Sequence, residues 1–248
     1  MTVTRIFVEG TLEGRRSLVL TGAQRKYLCT VLRIRPGEQV LAFDGSGLEY
    51  IARFDSADRK RARLVILGTN PALATESPLR LVLAQALLKA EKMDWVVQKA
   101  GELGVTEICP FTSARAVPSV LARRAQARLD RWARIAREAS RQCGRTRSME
   151  VGRVVAFEEI LSRGSSFDRA FVCSSRGGET LERLTSGEAP PRSVLVAVGP
   201  EGGLTDEEVS LAVARGFVRL SLGPRVLRAE TAAIIAVGLV QHRFGDLL

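Results

Sequence analysis

Histidine and cysteine are scarce, and their scarcity removes whole classes of chemistry. The only histidine of the 248 residues is His242, near the carboxy end. A Ser-His-Asp or Cys-His mechanism would need it as the base, yet its neighbours Gln241, Arg243 and Phe244 read as the surface end of an amphipathic helix. The four cysteines, Cys29, Cys109, Cys143 and Cys173, lie far apart with no Cys-x-x-Cys pair. They read as reduced, mostly buried thiols of a cytosolic protein, and no metal site is expected. Long apolar runs are missing too: none approaches the roughly 18–20 residues of a spanning helix. The first ten residues, Met1 to Gly10, lack a signal-peptide core, so the expectation is a cytoplasmic protein with no membrane partner. Neither Gly-x-Gly-x-x-Gly nor Gly-Lys-Ser/Thr occurs, which sets aside the two common nucleotide-binding loops.

What the chain has in excess is positive charge. Its 37 Lys and Arg against 27 Asp and Glu give a formal net charge of +10, a balance that suits a polyanionic partner or simply a basic, soluble surface. Residues 1–72 read as a small β-rich module, with strands at 6–8, 17–20, 39–43, 48–54 and 63–67 and one helix over 22–32. Several short strands with one helix suggest a compact barrel. Its cations Arg5, Arg25, Lys26, Arg33 and Arg35 form either a solvated surface or a phosphate-contacting face. The proline-bracketed stretch from Thr69 to Pro78 is the candidate linker. From residue 73 onward strands and helices alternate, which predicts an α/β domain with a mostly parallel sheet covered on both faces. Strands fall at 79–84, 105–111, 168–173, 194–198 and 218–222. A helix carrying Met93, Val96, Val97, Ala100 and Leu103 stops at Gly104. A longer helix over about 118–142 sets an apolar stripe (Leu121, Ala125, Leu129, Trp132, Ala136, Ala139) against arginines that include Arg124, Arg128 and Arg131, and Arg145 continues the run.

Two strand ends carry the chemistry. The strand at 194–198 runs into Gly199-Pro200-Glu201-Gly202-Gly203, and the strand at 218–222 runs into Gly223-Pro224-Arg225-Val226-Leu227-Arg228-Ala229-Glu230-Thr231. Glycine lets a backbone approach a ligand, proline fixes the exit of the chain, and ligands of open α/β sheets sit at carboxyl strand ends. Thr205 to Glu208 supplies a helix cap with acids in the first turn. Arg225 and Arg228 stand beside an apolar helix start, where burial would be costly unless they serve a partner or pair with Glu201 or Glu230.

These residues resemble the signature of the bacterial 16S rRNA uridine-N3 methyltransferases of the SPOUT superfamily, and the resemblance covers nearly the whole chain. Residues 31–37 (Val-Leu-Arg-Ile-Arg-Pro-Gly) and 43–47 (Phe-Asp-Gly-Ser-Gly) match its RNA-binding barrel; 98–105 and 138–145 match its central segments. Gly101 stands where a polar residue is expected and Tyr27 where a histidine is usual. The resemblance implies a PUA-like β-barrel over 1–72, then a SPOUT α/β domain over 73–248 with a carboxy-terminal trefoil knot, acting as a homodimer on S-adenosylmethionine (SAM). The implied cofactor residues are Val198, Gly199, Pro200, Glu201, Gly202, Gly203, Leu222, Gly223, Val226, Leu227, Arg228 and Thr231. Arg228 would orient the base or stabilise charge at N3, and Glu230 would accept the proton or fix an arginine. Arg5, Lys26, Arg33, Arg35, Arg124, Arg128, Arg131 and Arg145 would grip 16S rRNA, within the small ribosomal subunit. The other readings are a ribose 2′-O-methyltransferase of the same superfamily, a non-catalytic RNA-binding assembly factor, and a DNA-binding regulator.

Overall fold

Apolar residues at every second position define the first sheet. Ile6, Leu18 and Leu20, Val40 and Ala42, Ala52 and Phe54, and Ala62 and Leu64 all turn to one core with Leu12 and Leu28. They lie on β1 (Arg5–Phe7), β2 (Ser17–Thr21), β3 (Gln39–Phe43), β4 (Glu49–Ala57) and β5 (Arg61–Asn70). The strand order is β1-β3-β4-β5-β2, antiparallel except for the β1–β3 pair. Among the described residues β1 and β2 remain edges, so the expected compact barrel is a curled half-barrel. The computed structural model describes residues 4–70, 75–89, 91–116, 121–184 and 189–247, with the backbone alone for 121–125.

The helix predicted over 22–32 is two pieces. α1 (Gly22–Lys26) passes into a π-helical turn, Tyr27–Val31, closed by the Leu32 amide on the Tyr27 carbonyl. Arg33 follows at φ 55°, a left-handed conformation that only glycine adopts without cost.

The chain divides into two compact units: Met1–Glu76 with Ser140–Ser148, and Ser77–Ala139 with Met149–Leu248. The boundary expected at residue 72 and the middle of the expected linker, 71–74, lie outside the described residues, while Thr69 and Asn70 end β5. The return of 140–148 to the first unit has no counterpart in a contiguous division. Its cause is polar. Arg5 bonds the Glu49 carboxylate at 2.6 Å and the carbonyls of Arg141 and Arg145 at 3.1 and 3.0 Å. The Glu76 carboxylate accepts from the Arg145 guanidinium and from the amides of Thr146 and Arg147. Tyr27 accepts from Arg141 at 2.7 Å and stacks beneath its guanidinium, which gives the tyrosine a local role.

In the second unit every strand pairing is parallel. The strands are β6 (Arg80–Ala86), β7 (Glu107–Thr112), β8 (Glu150–Val151), β9 (Val155–Ala156), β10 (Arg169–Cys173), β11 (Ser193–Val198) and β12 (Val218–Leu220). Their order is β12-β10-β11-β6-β7, with β8 and β9 both lying along β7. Central strands buried on both faces must alternate between two cores, and these do. Leu81, Leu83, Val194 and Val196 face a core shared with α2 (Lys92–Glu102), α3 (Leu121–Cys143) and α7 (Ala229–Phe244). Val82, Ala84, Leu195 and Ala197 face one shared with α4 (Phe157–Arg163) and α6 (Asp206–Ala214). A one-turn helix, α5 (Leu181–Leu184), precedes β11.

Of the α3 stripe, Trp132, Ala136 and Ala139 are buried and Leu129 half-buried; the side chains of 121 and 125 lie outside the described residues. A Cβ on Gly101 would come within 3.2 Å of the Ala139 Cβ, which explains a glycine where a polar residue was expected. Gly104, at φ +82°, ends the turn after α2 as predicted. His242 is exposed near the end of α7, and the four cysteines are free, with Cys109 buried.

Candidate active site

The carboxyl ends of β10, β11 and β12 lie side by side, so the three loops that leave them form one rim. Two of these are the loops singled out in the sequence. Gly199 is required by close approach: a Cβ there would stand 2.8 Å from the Leu204 amide nitrogen. The loop turns back on itself through the Gly203 amide on the Pro200 carbonyl, with Gly203 at φ +72°. It then enters α6 through a full capping box, Thr205 Oγ1 accepting from the Glu208 amide while Glu208 accepts from the Thr205 amide. The third loop escaped the sequence analysis. It follows β10 as Ser174-Ser175-Arg176-Gly177-Gly178, and a Cβ on Gly178 would lie 2.9 Å from the Arg219 carbonyl of β12. A strand ending in Ser-Ser-x-Gly-Gly was the signal available.

Together the loops enclose a cavity of about 330 Å³, within the range of small-molecule sites. Val198, Gly199, Pro200, Glu201, Gly202, Gly203, Leu222, Gly223, Val226 and Leu227 all line it, as do Cys173 to Arg176 of the third loop. Arg228 and Thr231 do not. Burial pushes the Cys173 thiol up to about 12, so it stays a neutral thiol at neutral pH.

Two arginines expected beside a buried helix start are exposed instead, and no burial cost attaches to them. Arg225 lines the cavity. Arg228 is the N-cap of α7 and lies between two lining residues, Leu227 and Ala229, with its side chain in solvent. Glu230 lies outside the cavity. Its partner is not an arginine but Lys92, whose ammonium stands 3.4 Å from Glu230 and 3.4 Å from Glu201. Burial alone would raise the Glu201 carboxyl. The Lys89 amide, its own amide and Lys92 outweigh that and hold it below the usual carboxylate range.

Sequence reasoning also missed Gln85 and Arg115. Gln85, fully buried at the end of β6, donates from Nε2 to the carbonyls of Ala86 and Gly199 at 2.9 and 3.2 Å. Arg115, after β7, lines the cavity and donates to the Gly202 carbonyl at 3.0 Å, while the neighbouring Ala114 amide bonds Glu208.

The cations expected to meet RNA separate into groups. Lys26, Arg33 and Arg35 are exposed. Arg128 is half-buried, and Arg131 is exposed but bonded to Asp94 at 2.8 Å. Arg5 and Arg145 are turned inward, Arg145 being only 4% exposed, so their expected availability to phosphates is corrected to an internal, architectural role. The Arg124 side chain lies outside the described residues.

An all-parallel α/β unit with glycine-rich loops around a cavity, carried on a chain with a small β-rich unit, meets two family descriptions. Residues 75–241 match the RNA methyltransferase domain and residues 20–67 the RNA methyltransferase PUA domain. The ribosomal RNA small subunit methyltransferase E of Bacillus subtilis (strain 168) is 32% identical over 248 residues, covering 96% of each chain. Among solved structures, a Legionella pneumophila methyltransferase in complex with SAM superimposes with a TM-score of 0.90 at 33% identity over the full length of both chains. A Neisseria gonorrhoeae ribosomal RNA small subunit methyltransferase E bound to SAM gives 0.88 at 31%, also over both full lengths. The chain belongs to the ribosomal RNA small subunit methyltransferase E family.

Proposed function

We propose that this protein methylates N3 of a specific uridine in 16S ribosomal RNA, with SAM as methyl donor. The cavity ringed by the carboxyl ends of β10, β11 and β12 carries this reading, together with the SAM bound in similar structures. The residues fit the donor: glycine-rich loops line the cavity, and Gly199 lets the first of them fold tightly on its own Leu204 backbone. Backbone amides and carbonyls of 198–203 and 222–227 would hold the adenine and ribose by direct hydrogen bonds. SAM, when bound, supplies an electrophilic methyl group on a sulfonium.

The chain's own work is to bind, orient and exclude water. Uridine must leave its stack to reach the cavity. Arg228, in solvent between two lining residues, is available to the incoming base and not to the donor, and it stabilises negative charge as N3 loses its proton. Glu230, held by Lys92 and set back from the cavity, acts through that lysine, and water takes the proton.

In this reading residues 1–72 are a PUA-like RNA-binding domain and 73–248 a SPOUT methyltransferase domain with a carboxy-terminal trefoil knot. The active form is a cytoplasmic homodimer. Ile235 and Leu239, 42% and 40% exposed one turn apart on α7, favour a second copy as cover. Lys26, Arg33 and Arg35 meet phosphates of the small-subunit RNA.

The test is product identity. Unmodified small-subunit particles are incubated with methyl-labelled SAM, and the RNA is digested to nucleosides for mass spectrometry. N3-methyluridine is expected. Label in a ribose 2′-O-methyl group would replace the reading with the ribose enzyme, and no incorporation would leave an RNA-binding factor.

A further inference from the structure

The two cavity loops after β11 and β12 are separated in the chain by α6 and β12, and each leads into its own helix. Between them stands Lys92, on α2, which neither loop contains. Its ammonium lies 3.4 Å from Glu201 of the first loop and 3.4 Å from Glu230 in the first turn of α7, so the two carboxylate oxygens lie within about 7 Å of each other. Three features make this more than a chance surface pair.

Lys92 is the first residue of α2, where the helix dipole opposes a cation, so the lysine needs anions from elsewhere. Glu230 Oε2 is buried and accepts no hydrogen bond among the described residues, which leaves the Lys92 charge to compensate it. Glu201 is anchored independently, by the Lys89 amide at 3.1 Å three residues before Lys92. The β6–α2 segment therefore grips the first loop twice and the second once.

We infer that Lys92 is a positioning residue that clasps the two loops into the shape that accepts the methyl donor. This rests on the reading of the cavity as the donor site. With Lys92 neutralised, two carboxylates face each other across a partly buried space with nothing between them. The less anchored one, Glu230, moves, and it carries the start of α7 and the loop 222–227 with it. Lys92 itself lies outside the cavity lining and acts through Glu201 and Glu230, so its loss acts on donor affinity while RNA affinity stays as it was.

The experiment is calorimetric titration of the full chain with SAM, for wild type, Lys92→Met, Lys92→Arg and the double variant Lys92→Met/Glu230→Gln, with melting curves and RNA affinity measured on each. Lys92→Met is expected to bind SAM about tenfold more weakly, the scale of a 1.4 kcal/mol coupling. Lys92→Arg should bind within about threefold of wild type, and the double variant should recover most of the loss, because removing one acid relieves the repulsion. Hydrogen exchange without ligand should quicken in 199–203 and 222–227 together in Lys92→Met. Unchanged SAM affinity in a folded Lys92→Met would overturn the clasp, and so would a loss that neither arginine nor the second substitution relieves. Failure of wild type to bind SAM would overturn the donor reading instead. The exchange measurement then decides the clasp without ligand: joint quickening upholds it, and unchanged exchange rejects it.

Discussion

Gln85 Nε2 donates to the carbonyl oxygen of Gly199 at 3.2 Å, from a side chain with no exposure at all. The first cavity loop is thus fixed from beneath by the neighbouring strand, at a position 114 residues away in sequence. A buried carbonyl that loses its donor keeps its desolvation cost, about 1–3 kcal/mol. Gln85→Leu should lower stability by about that amount and weaken SAM binding. Melting curves and calorimetry check both, and a variant with wild-type stability and affinity would remove Gln85 from the account.

Two glycines three positions apart in the same loop should respond differently. A Cβ at Gly199 meets backbone at 2.8 Å, whereas one at Gly202 meets only the flexible Arg115 side chain at 3.4 Å. Gly199→Ala should abolish measurable SAM binding, and Gly202→Ala should retain it within about tenfold, roughly 1.4 kcal/mol. Titration of the two variants side by side is the check.

The cations divide by what they hold. Arg145→Met breaks the pair of a buried arginine with the half-buried Glu76 and should cost about 1–3 kcal/mol of stability, read from denaturant melts. Lys26→Glu and Arg35→Glu should leave stability within about 0.5 kcal/mol yet weaken RNA binding and flatten its salt dependence. Arg33 adds a sharper case. Its left-handed backbone at φ 55° makes Arg33→Gly the less strained residue, so that variant should match or exceed wild-type stability while binding RNA more weakly.

Acid sensitivity should centre on Glu107. The Arg163 guanidinium beside it, at 2.7 Å, outweighs burial and holds its carboxyl below the ordinary value of 4.5. A carboxyl lowered in the folded state stabilises the protein above its unfolded pKa, and that stability is lost as pH falls through the folded value. Glu107→Gln should therefore cost about 1–2 kcal/mol at pH 7 and show a shallower loss of melting temperature below pH 4.5 than wild type. Equal acid limbs would contradict this.

Much of the fold was legible because its signals are local. Alternation marked the strands that line each core, Gly104 marked a helix end, and Thr205 with Glu208 marked the capping box realised at α6. The two glycine-proline loops were legible for the same reason, since conformation and sequence coincide there. Lys92, Gln85 and Arg115 were not, because each reaches the cavity loops across the sheet and nothing near them in sequence says so. Arg5 and Arg145 misled in the opposite sense: charge alone does not distinguish a solvent-facing arginine from one bonded to buried carbonyls and carboxylates. β8, β9 and α5 are too short to carry a period.

In the proposed reading the loops after β11 and β12 together hold the methyl donor. Hydrogen exchange of the wild-type chain, with and without saturating SAM, tests it most directly. Strong, simultaneous slowing is expected in 199–203 and 222–227, with little change on the first sheet. Identical exchange in both loops at saturating SAM would contradict it.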